Sequence, residues 1–236
     1  MFISLTASKH RVKRVAVCLS LSALFVRPTA QTPEPPPWPD TFLARLEAFA
    51  LIQTLNADIL ASRSATASLE NWCRDHQLAA EPKIVARVVK GAGKPPTREQ
   101  RQRLEVNGDD DVRYRRVELR CGSRVLSEAD NWYVPGRLTP EMNRLLETTD
   151  APFGRVVESL VPYRRTFTAK LLWTPLPEGW ERAAVPLSSS GGGTLAIPSA
   201  VLEHRAVLYT REHRPFSEVD EVYQRAILAF RPPSGR

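Results

Sequence analysis

The sequence is poor in sulfur and in histidine. Its 236 residues include three cysteines, two methionines and four histidines. His10, His76, His204 and His213 show no metal-ligand spacing, and the few cysteines cannot close a zinc site without them, so no metal is expected. There is no G-x-S-x-G elbow, which removes the usual signature of an α/β-hydrolase nucleophile. The run Gly91–Thr97 (GAGKPPT) lacks the earlier glycine of a phosphate loop and places Pro95 and Pro96 directly after its lysine. Internal repeats and heptads are absent too, and nothing implies a cofactor.

Acidic residues are missing from the first thirty positions. Lys9, Arg11, Lys13, Arg14 and Arg27 stand there unopposed, so most of the formal charge of +7 is local and only +2 remains for the other residues. A nearly balanced body without a basic stripe argues against a nucleic-acid partner. Lys9–Arg14 followed by the 12-residue, largely apolar run Val15–Val26 has the form of a secretory signal at 1–30, with cleavage after Ala30. The run is too short to span a bilayer comfortably, so no membrane partner is expected beyond that segment. This reading makes the protein exported, into the periplasm. A mis-assigned start or a disordered extension is the alternative. Cys73 and Cys121 then remain. In an exported chain they are a candidate disulfide, and in a cytosolic one they would be separate buried thiols.

Residues 31–40 (QTPEPPPWPD) form a proline-rich linker in which a helix is blocked. Asp40 is a fair N-cap for an amphipathic helix over Thr41–Leu60, with Phe42, Leu46, Phe49, Ile52, Leu55 and Ile59 at helical spacing. A second helix is predicted over Ala65–His76. Strands follow at Lys83–Val89, Arg113–Cys121, Val125–Val134, Tyr163–Trp173, Val201–Tyr209 and Pro215–Tyr223. Short helices open at Thr97 and Thr139, Ala151–Arg155 reads as a turn on Pro152 and Gly154, and Pro175–Gly193 reads as a surface loop. In Tyr163–Trp173 the residues Phe167, Ala169, Leu171 and Trp173 share a side. Residues 230–236 form a flexible tail. The pattern gives an α+β domain at 41–229 with one antiparallel sheet.

Candidate site residues come from three segments. Arginine facing a closed pocket is costly unless an anion pairs with it. Alternation puts Arg113, Arg115, Val117, Leu119 and Cys121 on the buried face of their strand, which makes Arg115 the inward cation; solvated arginines, or pairs with Asp109–Asp111, are the alternative. The turn Pro152-Phe153-Gly154-Arg155 can aim backbone N–H groups at an anion. In the last strand Glu221 lies between Val219 and Tyr223 and would be half buried, where it could give or take a proton; an ordinary edge ion pair is the alternative.

The run RYRRVELRCG, the hairpin whose second strand ends in WYVP, then PFGR, and finally RPFSEVDEVY, resembles the chorismate lyase family over about residues 40–229. It is also similar to the related ligand-sensing domain of bacterial transcription regulators. The resemblance implies a six-stranded antiparallel sheet with flanking helices and an enclosed site beneath helical flaps. It assigns a carboxylate-binding arginine to Arg116, one position away from the alternation argument, and a carboxylate-holding amide to Phe153 beside Gly154. The family's acid falls on Glu221 or, without an insertion, on Asp220. The lyases carry a second arginine on the returning strand, where this sequence has Asn131. Three expectations follow: a binding module for a small, aromatic carboxylate; a lyase releasing pyruvate and 4-hydroxybenzoate from chorismate; or a structural protein with a vestigial pocket. Nothing in the sequence speaks to oligomeric state.

Overall fold

The computed structural model describes residues 1–2, 37–91, 93–182 and 193–235. The chain divides into two units, Met1–Thr32 and Pro33–Arg236, and only the second is described beyond Met1 and Phe2. The signal-like segment and its cleavage point therefore lie outside the described residues.

Helix α1 (Phe42–Ala61) is capped by Thr41, whose side chain accepts from the Ala44 amide. Asp40, expected as the cap, instead pairs with Arg45 at 2.7 Å. The helix buries Ala44, Ala48, Ile52, Leu55 and Ile59. Small residues thus replace Phe42, Leu46 and Phe49 in the first half of the buried stripe; Phe42 and Phe49 stay half-buried against the ring of Trp180. Helix α2 (Ala65–Asp75) starts at Ser64 and buries Leu69, Trp72 and Cys73. The two ends of the domain are packed together. Trp38 is buried and its Nε1 donates to the carbonyls of Leu228 and Phe230, while Ser234 bonds to Glu47 on α1. The tail thus engages α1, where free chain was expected.

Six strands form one antiparallel sheet: β1 (Ile84–Val88), β2 (Arg113–Cys121), β3 (Arg124–Tyr133), β4 (Tyr163–Leu171), β5 (Ala200–Tyr209) and β6 (Pro215–Gln224). Their spatial order is β1-β2-β3-β6-β5-β4, so the one neighbour pair not consecutive in sequence is β3 with β6. This is the α+β architecture that the resemblance to chorismate lyases implies. Two apolar clusters pack on one face of the sheet. The first joins α1 and α2 to Val117, Leu119, Ala129, Leu202 and Tyr223. The second joins α4 (Pro140–Thr148) and α5 (Phe153–Val156) to Tyr133, Leu208, Phe216 and Val219. Helix α3 (Arg98–Arg103), held by a Thr97–Gln100 capping box, ends at Leu104, which forms a third cluster with Trp132 and Val134.

Two local departures from the sequence reading shape the site. Ala151–Arg155 is not a plain turn: Pro152 caps the single helical turn of α5. In β4, a bulge between Thr166 and Thr168 reverses the side-chain alternation. Leu171 and Trp173 still pack on the core, but Phe167 is 43% exposed and Arg164 is buried in its place.

Candidate functional site

At the seam between the two apolar clusters the sheet floors a small chamber of about 50 Å³. Val117, Leu119, Ala129, Leu208, Val219 and Phe153 give it apolar walls, and its ionic lining is Arg63, Arg115, Arg164 and Glu221. Ser64, Thr66, Gly154, Pro162 and Arg63 form a neck into a wider vestibule of about 650 Å³. By the volume a water needs, the chamber takes a few water-sized groups, on the order of a carboxylate and its first carbons.

Strand pairing explains why the polar groups meet. Arg115 on β2 lies opposite Asn131 on β3, and Asn131 lies opposite Val219 on β6. One rung away, Val117, Ala129 and Glu221 are aligned in the same way. Residues two apart along a strand share a face, so both rungs present their side chains to the chamber.

Arg115 is 6% exposed. Its Nη2 donates to the carbonyls of Thr149 and Ala151 in the α4–α5 connection, at 3.2 and 3.0 Å. Among the described residues its Nε and Nη1 find no acceptor. Burial lowers its pKa, and the nearby Tyr133 and Asp150 counter that only in part. Asn131 is 3% exposed, and its Oδ1 accepts the Ser217 hydroxyl at 2.6 Å, which turns the Nδ2 amide away as a donor with no partner among the described residues. Three buried donors from adjacent strands thus lack an acceptor. Natural structures rarely leave such groups unmet, because each unmet group costs about 1–3 kcal/mol.

The other pole is already satisfied. Glu221 Oε2 accepts from Arg164 Nη2 at 2.7 Å and from the Tyr223 hydroxyl at 2.9 Å, while Oε1 accepts nothing from the described residues. Burial opposes the charge on Arg164, but Glu221 and Tyr223 outweigh it and its pKa is raised. Burial, then the Glu221 charge, hold the Tyr223 phenol well above its usual range. His204, opposite Glu221 on β5, contacts Asn56 of α1 through Nε2 at 2.7 Å. Burial first, then Arg164, depress its pKa to about 4, so the ring is neutral near pH 7.

The structure brings together Arg115, Asn131, Phe153, Gly154 and Glu221 of the sequence candidates. Arg116 points to the opposite face of the sheet, as strict alternation with Arg115 requires. It pairs there with Glu128 at 2.9 Å and Asp130 at 3.6 Å. Asp220 shares that outer face, half-buried near Arg205. Phe153 lines the chamber, with its ring tilted against Tyr133 and stacked near Phe216. Gly154 is pressed against the start of α2: a Cβ there would sit 2.9 Å from Ser64 Oγ. Cys73 and Cys121 are joined in a disulfide with Cα atoms 6.2 Å apart, tying α2 to β2. Sequence reasoning missed Arg164, because the bulge between Thr166 and Thr168 reverses the alternation inside β4. Among the described residues no group of three His, Cys, Asp or Glu is placed to hold a metal.

In fold the chain is similar to PhnF from Mycobacterium smegmatis, with a TM-score of 0.44 and 12% identity over 70% of this chain and 65% of that one. It therefore spans just under two thirds of PhnF's length. It is similar also to a GntR-family transcriptional regulator from Enterococcus faecalis V583, with a TM-score of 0.37 and 13% identity over 64% of this chain and 95% of that one. No family model matches the sequence. In sequence it is 52% identical over 198 residues, 83% of each chain, to the uncharacterized protein y4mC of Sinorhizobium fredii (strain NBRC 101917 / NGR234), and it belongs to the same family as that protein.

Proposed function

We propose that this protein binds a small organic acid, with the carboxylate seated in the chamber on Arg115 and Asn131. The observation that carries the reading is the set of three buried donors, Arg115 Nε and Nη1 and Asn131 Nδ2, with no acceptor among the described residues. A carboxylate offers two oxygens with about four lone-pair sites, which matches them, and a charge-assisted bond to arginine is roughly twice as strong as a neutral one. The resemblance to chorismate lyases assigns a further donor to the Phe153 amide, and Phe153 lines the same chamber. At the other pole Glu221 presents Oε1 as an acceptor, and its charge is already balanced by Arg164, so a neutral hydroxyl suits it better than an ammonium. A hydroxylated aromatic acid has that chemistry, with its ring extending from the chamber toward the neck.

Titration calorimetry of 4-hydroxybenzoate tests this. Arg115→Ala is expected to lose on the order of 2–5 kcal/mol of binding, and Arg116→Ala almost none. Glu221→Gln should spare benzoate and weaken discrimination for the hydroxylated acid. Equal binding by all four proteins would remove the proposed site. A second reading, elimination of pyruvate from chorismate, is favoured by one observation: Glu221 lines the same chamber as Arg115. Pyruvate release that depends on Glu221 would select it over binding alone.

The reading includes export, which rests on the basic segment Lys9–Arg14 and the apolar run Val15–Val26. The mature chain should begin near Gln31 and be recovered outside the cytoplasm. Full-length protein in the cytosolic fraction would remove this part of the proposal.

A further inference from the structure

The ionic lining of the chamber and the difference in size between chamber and vestibule bear on the ligand's far end. Three guanidinium groups, Arg63, Arg115 and Arg164, face one carboxylate, Glu221. Arg164 and Glu221 balance one another at 2.7 Å. A carboxylate on Arg115 balances the second cation. Arg63 remains. It lies between α1 and α2, is exposed, lines both chamber and vestibule, and forms no ion pair with any described residue. On the vestibule side Glu70 is taken by Arg155 at 2.7 Å, and Glu158 lines the vestibule but not the chamber. The positive charge therefore stands at the neck, where the low-dielectric wall strengthens its field.

The neck also limits the shape of what passes through it. Gly154 approaches the start of α2 so closely that a Cβ would lie 2.9 Å from Ser64 Oγ and 3.2 Å from Thr66 Oγ1. That contact closes this side of the neck, so a flat ring or an unbranched chain passes it more readily than a branched group. The chamber, at about 50 Å³, holds only a head group, whereas the vestibule, at about 650 Å³, holds a tail of many atoms.

We infer that the preferred ligand is an elongated molecule with an acidic group at each end: one carboxylate on Arg115 and Asn131, a slender stem through the neck, and a second anionic group on Arg63. This rests on the proposed binding of an acid in the chamber and specifies its class. Arg63 is then the residue that selects for the second charge.

The test compares octanedioate with octanoate by titration calorimetry, using the wild-type chain, Arg63→Ala and Arg115→Ala. The wild type should bind the diacid at least tenfold more tightly than the monoacid. That ratio should fall to near one in Arg63→Ala, and added salt should shrink it, because Arg63 is solvent-exposed. Arg115→Ala should weaken both acids together. Equal affinity for the two acids in the wild type, or an undiminished ratio in Arg63→Ala, overturns the inference and leaves the acid site standing if octanoate binding still depends on Arg115. Failure of the wild type to bind either acid overturns the inference, and the acid site with it if 4-hydroxybenzoate also fails to bind.

Discussion

The two faces of the sheet use charge in opposite ways. On the open face the charges are numerous and matched: Arg87 and Arg120 with Glu118, Arg116 with Glu128 and Asp130, Lys94 with Asp130, Arg205 with Glu203. Most of these cations are about 40–64% exposed, so water screens them and each pair contributes little. On the chamber face the charges are few and buried, and one of the arginines keeps two donors without an acceptor among the described residues. The same residue types therefore carry different information. An arginine that is exposed and paired reports solubility and register, while one that is buried and short of acceptors marks a candidate site.

The sharpest way to break this comparison is to remove one arginine from each face. Arg164→Ala leaves the Glu221 carboxylate buried without its cation and should cost about 3–5 kcal/mol of stability. Arg116→Ala, on the open face, should cost less than about 1 kcal/mol. Urea unfolding of the two variants measures both. Similar midpoints would mean that Glu221 is hydrated in the folded protein and that the buried-pair argument fails. The double replacement Arg164→Met with Glu221→Met should recover part of the loss, since it leaves no buried charge unpaired and only the Tyr223 hydroxyl loses its acceptor.

A smaller effect is expected from the Cys73–Cys121 disulfide. It joins the helix whose first residues wall the neck to the strand that carries Arg115. The bonded residues are 48 apart in sequence, and closing a loop of that size stabilises by about 2–4 kcal/mol. Reduction should lower the unfolding midpoint accordingly and raise hydrogen exchange along α2. Thiol counting on the denatured, unreduced chain gives a direct check: free thiols at Cys73 and Cys121 would show that the bridge is absent.

How much of this was legible in the sequence depended on whether the signal was local. The strands of the hairpin could be placed because alternation and the Gly122–Ser123 turn are local, and the same alternation put Arg115 on the chamber face. Counting from a related family's motif gave Arg116, and on a strand a slip of one position means the opposite face. Glu221 was reachable by the same argument from its neighbours Val219 and Tyr223. Arg164 was not, because the bulge after Thr166 reverses the alternation halfway along β4 and a bulge has no reliable sequence mark. Glu218 alternates onto the face opposite Glu221, yet it is buried, and Arg103 on α3 reaches it at 2.7 Å. That contact spans 115 residues, and no window along the chain contains both partners. The pairing of β3 with β6 is non-local in the same sense.

The smallest of these effects is a pH dependence confined to the chamber side. His204 is fully buried, faced by Asn56 from α1, Glu221 and Tyr223 from β6, and the Arg164 charge from β4. Its pKa is depressed from 6.5 to about 4, first by burial and then by Arg164. The sign follows from proton counting. Between pH 4 and 6.5 the unfolded chain binds a proton at this position and the folded chain does not, so stability rises with pH through that window and is lost as pH falls. Between pH 7 and pH 5 the loss attributable to this residue should be about 2 kcal/mol. His204→Gln keeps a donor for Asn56 Oδ1 and removes the titration, so its stability should be flatter over the same interval even if its absolute value is lower. Urea unfolding at pH 7, 6 and 5 gives the two slopes. Parallel slopes would mean that the folded protein accepts the proton at His204, with water or a shifted Asn56 side chain reaching the ring, and the seal between α1 and the sheet would then be looser than that between the open-face charges and their partners.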